Sequence, residues 1–239
     1  MGFWVIKILS TTVGETAADY LSVNAGWGPR ASAAVMTALL ALALCLQLHA
    51  DRFSPWRYWL SVVLVSIVGT QLTDGLTDGL GVSLVVSTIV FAIALAVVFL
   101  AWYRMEKTLA ISSIVTRRRE AFYWLAILLT FALGTAAGDL CTEAMGMGFR
   151  LGALLFGLLI GVTMLAWRLG LHPVLAFWVA YIFTRPLGAS LGDWLTQARQ
   201  YGGLGLGAMM TSIIFLSIIT VLVGASQRAV NKLNAIERM

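Results

Sequence analysis

Phe3-Trp4-Val5-Ile6-Lys7-Ile8-Leu9-Ser10-Thr11-Thr12-Val13-Gly14-Glu15-Thr16-Ala17-Ala18-Asp19 opens a pattern that the chain repeats three more times. Tyr58-Trp59 is followed by Gly69 and Asp74, Tyr123-Trp124 by Gly134 and Asp139, and Phe177-Trp178 by Gly188 and Asp193. In each copy the glycine lies ten residues after the tryptophan and the aspartate five after the glycine. A hydroxyl stands three residues beyond each aspartate: Ser22, Thr77, Thr142 and Thr196. Internal repeats at this period mean stacked or ring-like units, each too small to bury its own core.

Around these copies the sequence is that of a membrane protein. It has 239 residues, is 60% hydrophobic and 11% charged, and has a mean hydropathy of +0.90. Soluble domains are nearer 25% charged. Apolar segments of bilayer-crossing length, about 20 residues, fall at 3–23, 31–49, 58–79, 83–103, 121–143, 151–167, 173–197 and 204–226. The expected fold is all-α and polytopic, with about eight transmembrane helices in a single transmembrane domain. Its units are four parallel two-helix repeats at 3–49, 58–103, 121–167 and 173–226. Lys7 interrupts the first apolar run and no small-residue cleavage motif follows it, so this run reads as a retained helix rather than a signal peptide.

Basic residues set the expected orientation. Arg52, Arg57, Arg104, Lys107, Arg117, Arg118, Arg119, Arg168, Arg228, Lys232 and Arg238 fall on one side of these spans, against Arg30, Arg150 and Arg199 on the other. The positive-inside rule then puts both termini in the cytoplasm. The run Arg117-Arg118-Arg119 becomes a topology anchor rather than a nucleic-acid patch. Two crossings per unit give all four copies the same orientation, as parallel repeats about an axis along the membrane normal. Either a pseudo-fourfold ring or a pair of pairs satisfies this, and a homo-oligomer is compatible with both. The aromatic pairs are expected at the cytoplasmic interface, where Trp and Tyr concentrate. Each glycine serves a close contact or a helix break.

The acids carry the functional expectation. Of eleven in the chain, Glu15, Asp19, Asp74, Asp78, Asp139, Glu143 and Asp193 lie inside the odd-numbered spans. A carboxylate at mid-bilayer costs about 2.5–3.5 kcal/mol on insertion scales, so it faces protein, water or an ion. Only Lys7 and Arg185 oppose the seven there. Residues four apart share a helix face, giving columns Lys7-Thr11-Glu15-Asp19, Ser66-Thr70-Asp74-Asp78, Thr135-Asp139-Glu143 and Arg185-Ala189-Asp193. Four inward stripes of oxygen suit a hard or borderline cation. Asp19, Asp74, Asp139 and Asp193 are the candidate metal ligands or proton carriers, tuned by Glu15, Asp78 and Glu143. Ser22, Thr77, Thr142 and Thr196 add neutral oxygens, with Lys7 and Arg185 as internal counter-ions.

Other signals are thinner. Thr73 to Gly79 resembles the start of a calcium loop without its closing glutamate. Cys141, Met145 and Met147 read as packing, His49 and His172 as interfacial, and Gly157-x3-Gly161 as a helix-contact motif. No nucleophile–base pair, phosphate loop or dinucleotide fingerprint is present, so neither enzymatic activity nor a resident cofactor is expected.

The segments Lys7 to Asp19 and Gly134-Thr135-Ala136-Ala137-Gly138-Asp139 resemble a bacterial family of uncharacterised membrane-anchored, multi-pass inner-membrane proteins, over essentially the whole chain. A more distant likeness is to cation exchangers whose repeated helices carry a Glu-x-Gly-Asp core. Gly14-Glu15 and Gly192-Asp193 lack that full core, and the unit here has two helices rather than three. The expected function is a transporter of an inorganic cation, a divalent metal such as manganese, magnesium or calcium, with proton coupling. An acidic pseudo-fourfold channel and a non-transporting scaffold are the rivals.

Overall fold

The computed structural model describes residues 2–50 and 53–236, with side chains as far as Lys232. Arg52 and Arg238, two of the residues used to orient the chain, lie outside the described residues. Among those described, eight α-helices account for the fold: α1 Gly2–Asp19, α2 Pro29–Leu48, α3 Pro55–Thr77, α4 Leu84–Glu106, α5 Arg117–Asp139, α6 Phe149–Arg168, α7 Pro173–Thr196 and α8 Ala208–Ile236. Proline begins α2, α3 and α7, where its missing N–H is no loss. Ser83 and Thr116 cap α4 and α5 by accepting from Val86 N and Arg119 N. Seven of the helices are long and apolar enough to cross a membrane. The chain is therefore an all-α multi-pass membrane protein. The remaining helix, α1, carries Lys7, Glu15 and Asp19 and is sheltered by the others.

The odd helices form a closed inner ring, α1 on α3, α3 on α5, α5 on α7 and α7 on α1. Each even helix lies outside this ring against the odd helix of the following unit: α2 on α3, α4 on α5, α6 on α7 and, closing the circle, α8 on α1. In the most apolar windows of α3, α5 and α7, 56–61% of residues are buried, against 17–28% in the four even helices. The outer helices thus present apolar side chains to lipid.

The repeated glycines are contact points. A Cβ on Gly14 would strike Ser66, reaching its backbone carbon at 2.9 Å, and one on Gly69 would meet Phe131 Cβ at 2.6 Å. One on Gly134 would meet Arg185 Cβ at 2.5 Å, and one on Gly188 would meet Thr11 Cβ at 2.5 Å. Ser66, Phe131, Arg185 and Thr11 each stand three residues before their own unit's glycine. The same contact therefore recurs four times around the ring, between each unit and the next.

The local helix ends break this fourfold rule. In units one and three the α-helix gives way, right after the aspartate, to π-helical turns Tyr20–Asn24 and Leu140–Ala144. Each is followed by a Gly-x-Gly pair in the left-handed region, Gly26 and Gly28, then Gly146 and Gly148. Units two and four lack the π-helical turn; unit two also lacks the glycine pair, which Gly205 and Gly207 repeat in unit four. The arrangement is a fourfold ring in its inner contacts and a pair of pairs at its rim.

Several sequence expectations change here. Thr73 and Asp74 continue α3, which runs unbroken to Thr77, so no calcium loop exists. Gly157 and Gly161 meet nothing within 4 Å and join no helix pair within the chain. The aromatic pairs form an inward collar rather than an interfacial belt. Each pair is edge-to-face at 5.1–5.4 Å. The first ring of each pair also meets the tryptophan of the next unit: Phe3–Trp59 at 5.4 Å, Tyr58–Trp124 at 5.7 Å, Tyr123–Trp178 at 6.2 Å and Phe177–Trp4 at 5.6 Å. Because even helices wrap the odd ones, Trp59, Trp124 and Trp178 are buried instead of facing lipid headgroups.

Gly14→Ala should destabilise the protein by about 1–3 kcal/mol, the range for overpacking a core. Gly157→Ala should stay within about 0.5 kcal/mol of the parent. Thermal unfolding of the two variants in detergent micelles compares them directly.

Candidate functional site

The inward faces of α1, α3, α5 and α7 meet in layers one helical turn apart, because residues at i and i+4 stack. At the collar end stand Phe3, Tyr58, Tyr123 and Phe177, with the Tyr58 and Tyr123 hydroxyls 2.6 Å apart. The next register layer is Lys7, Val62, Ile127 and Tyr181, each 0% exposed. Thr11, Ser66, Phe131 and Arg185 follow, then Glu15, Thr70, Thr135 and Ala189. The last is Asp19, Asp74, Asp139 and Asp193. An aspartate lies about 22 Å beyond its tryptophan at 1.5 Å rise per residue, so the acids occupy the opposite end of the ring.

Arg185 ties the four helices together. It is 0% exposed. Its Nη2 donates to Glu15 Oε2 on α1 at 2.7 Å, to Thr135 Oγ1 on α5 at 2.6 Å and to Thr70 Oγ1 on α3, while Nη1 donates to the Thr11 carbonyl at 3.0 Å. Thr70 also donates to Glu15 Oε2, at 3.4 Å. A planar guanidinium suits this role because its donors fan out in a fixed fork. Glu15, expected to tune the aspartates, is committed to this ion pair.

Lys7 pairs with no acid among the described residues. Among the described residues its Nζ has no hydrogen-bond partner, and it sits over the rings of Phe131 and Tyr181, 4.0 and 4.2 Å from their centroids. Its amino group packs against the two ring faces instead. The Tyr181 hydroxyl is likewise buried without a partner among the described residues.

The four repeated aspartates gather at the mouth of the ring. Among the described residues none of their carboxylates makes a hydrogen bond or ion pair with protein. Asp193 is 7% exposed and the other three are half-buried. They nevertheless share one electrostatic neighbourhood. Asp193 feels Glu15, Asp19, Asp139 and Glu143, Asp139 feels Asp74, and Asp74 feels Asp19 and Asp78. Asp78 and Glu143 sit exposed at the rim. Asp78 caps α3 and Glu143 lies in the π-helical turn, and both stay near the inner acids, Asp78 beside Asp74 and Glu143 beside Asp19, Asp139 and Asp193.

Two of the predicted neutral oxygens have local duties. Thr77 and Thr142 donate to the carbonyls of Thr73 and Gly138, at 3.1 and 3.0 Å, on their own helices. Ser22 lies in the first π-helical turn and Thr196 ends α7. Among the described residues no three Asp, Glu, His or Cys side chains are placed to hold one metal ion together. Asp19, Asp74, Asp139 and Asp193 therefore do not form a coordination shell in this conformation. Cooperation of Thr11, Thr70 and Thr135 with Arg185 was recoverable from the repeat register, since they occupy positions set by the glycine. The seating of Lys7 on Phe131 and Tyr181 carried no such signal.

Four segments of the chain, 2–53, 57–108, 122–169 and 176–230, match the family described as Repeat of Unknown Function (DUF347), and the chain belongs to that family. No curated protein and no solved structure matches it.

Arg185→Met leaves Glu15 buried and unpaired, and should cost about 3–5 kcal/mol. Adding Glu15→Gln should recover part of that loss, so thermal unfolding of the two single variants and the double should show strong non-additivity.

Proposed function

We propose that this four-repeat protein is a cation carrier of the bacterial inner membrane, exchanging protons at Asp19, Asp74, Asp139 and Asp193. One observation carries the reading. Four register-equivalent carboxylates share a field at one mouth of a helix ring without protein partners, one layer from a buried Arg185–Glu15 pair. Intramembrane acids of this kind mark ion paths and proton relays. The excess of Lys and Arg on the collar side supports an orientation with the collar towards the cytoplasm and the acids towards the outside.

The absence of a three-ligand cluster among the described residues favours a hydrated divalent ion. Mg²⁺ keeps several waters and takes only one or two carboxylates, and Mn²⁺ accepts similar oxygen donors. Arg185 competes with such an ion for Glu15, which gives the carrier an internal cation to displace. Beyond it, Lys7, Tyr181 and the Tyr58–Tyr123 pair line the axis towards the collar with groups able to bear or pass protons. Val62, Ile127, Phe131 and the collar fill that axis. A filled axis favours a carrier over the open acidic channel.

Purified protein in liposomes, given Mn²⁺, Mg²⁺ or Ca²⁺ across a pH gradient, tests this. Asp74→Asn and Asp193→Asn should each lower saturable, proton-coupled flux at least about tenfold while leaving the thermal midpoint within a few degrees. Loss of stability with no flux from the parent protein would instead support the scaffold.

A further inference from the structure

A cavity of about 720 Å³ lies at the collar end, away from the aspartates. Sites for small molecules span roughly 300–1,000 Å³. Tyr58, Trp59, Tyr123 and Trp124 supply aromatic wall, and Glu120 and Gln47 supply polar groups. Glu120 is held in place: its Oε1 accepts from Gln47 Nε2 at 3.0 Å and from Trp124 Nε1 at 3.3 Å. Its second oxygen takes no protein donor among the described residues. Gln47 is 7% exposed, yet its Oε1 has no hydrogen-bond partner among the described residues. Buried acceptors of this kind normally have one.

The chemistry of these walls narrows the occupant. A fixed carboxylate beside an unanswered amide oxygen asks for a ligand rich in N–H donors and positive in charge. Aromatic faces attract a cation and accept an apolar body. A bare divalent metal needs six or more oxygens, which an aromatic wall does not offer. An anion would meet Glu120. Arg117 also borders the cavity, but its side chain is exposed at the edge and can turn to solvent.

We propose that this cavity binds a small organic ammonium ion, a protonated amine carrying an aromatic or branched aliphatic body, between Glu120, Gln47 and the collar aromatics. The site is separate from the aspartate mouth, and binding there does not depend on transport. Trp59 and Trp124 in the wall make intrinsic fluorescence a direct readout.

The full chain in detergent micelles is titrated with phenethylammonium chloride and, separately, with 2-phenylethanol, which has the same body without the charge. The ammonium ion should bind about tenfold tighter than the alcohol, as charge-assisted hydrogen bonds are stronger than neutral ones. Glu120→Gln should remove most of that preference while leaving affinity for the alcohol within about twofold, so the alcohol reports that the cavity is still formed. Gln47→Leu should weaken the ammonium ion to a lesser degree, and it decides the matter should Glu120→Gln lose alcohol binding. Equal affinity for the two probes in the parent protein, no binding of either, or an unchanged preference in variants that still bind the alcohol overturns the proposal.

Discussion

The ring exists because four glycines let four helices touch. Each of Gly14, Gly69, Gly134 and Gly188 receives a residue of the next inner helix where any side chain would collide. In lipid there is little hydrophobic drive between helices, so close backbone approach and interhelical hydrogen bonds supply the association. The residues received there, Ser66, Phe131, Arg185 and Thr11, also form one layer across the axis. Close approach and axis filling are thus one event. A bulkier residue at any of the four glycines would open the ring at the level where Arg185 reaches across it.

That geometry makes the buried charge tolerable. Arg185 finds Glu15, Thr70, Thr135 and the Thr11 carbonyl only because three neighbouring helices arrive within hydrogen-bond distance. Lys7, one turn further along α1, has no such acceptor among the described residues and rests on two aromatic rings. The inner helices can afford polar stripes because the outer four carry the contact with lipid. Exposed Leu39, Leu42 and Leu46 on α2, or Ile89, Val90 and Ile93 on α4, are what the bilayer meets.

The sequence discloses the helices and the common depth of the aspartates, since a repeat of fixed spacing transfers directly into register. It discloses that Arg185 and Glu15 belong to the interior but not that they bind each other, because partners on different helices leave no local spacing. It does not disclose that Asp78 and Glu143 lie at an exposed rim, because spacing alone does not say where the helix ends: Asp78 caps α3 and Glu143 lies in a π-helical turn. Aromatic pairs at helix starts look like interfacial anchors until the covering helices are known. Nothing in the plain apolar sequence of α2, α4, α6 and α8 says which inner helix each will cover.

That covering pattern has a consequence for biosynthesis. The helix that shields α1 is α8, at the far end of the polypeptide. At about 5–20 residues per second, the first segment leaves the ribosome roughly ten seconds or more before its cover is made. Lys7, Glu15 and Asp19 enter the bilayer or wait beside the translocon with no finished shelter. The first stave of the barrel is seated last. A nascent chain cut short before α8 therefore leaves Lys7, Glu15 and Asp19 without the cover that α8 provides.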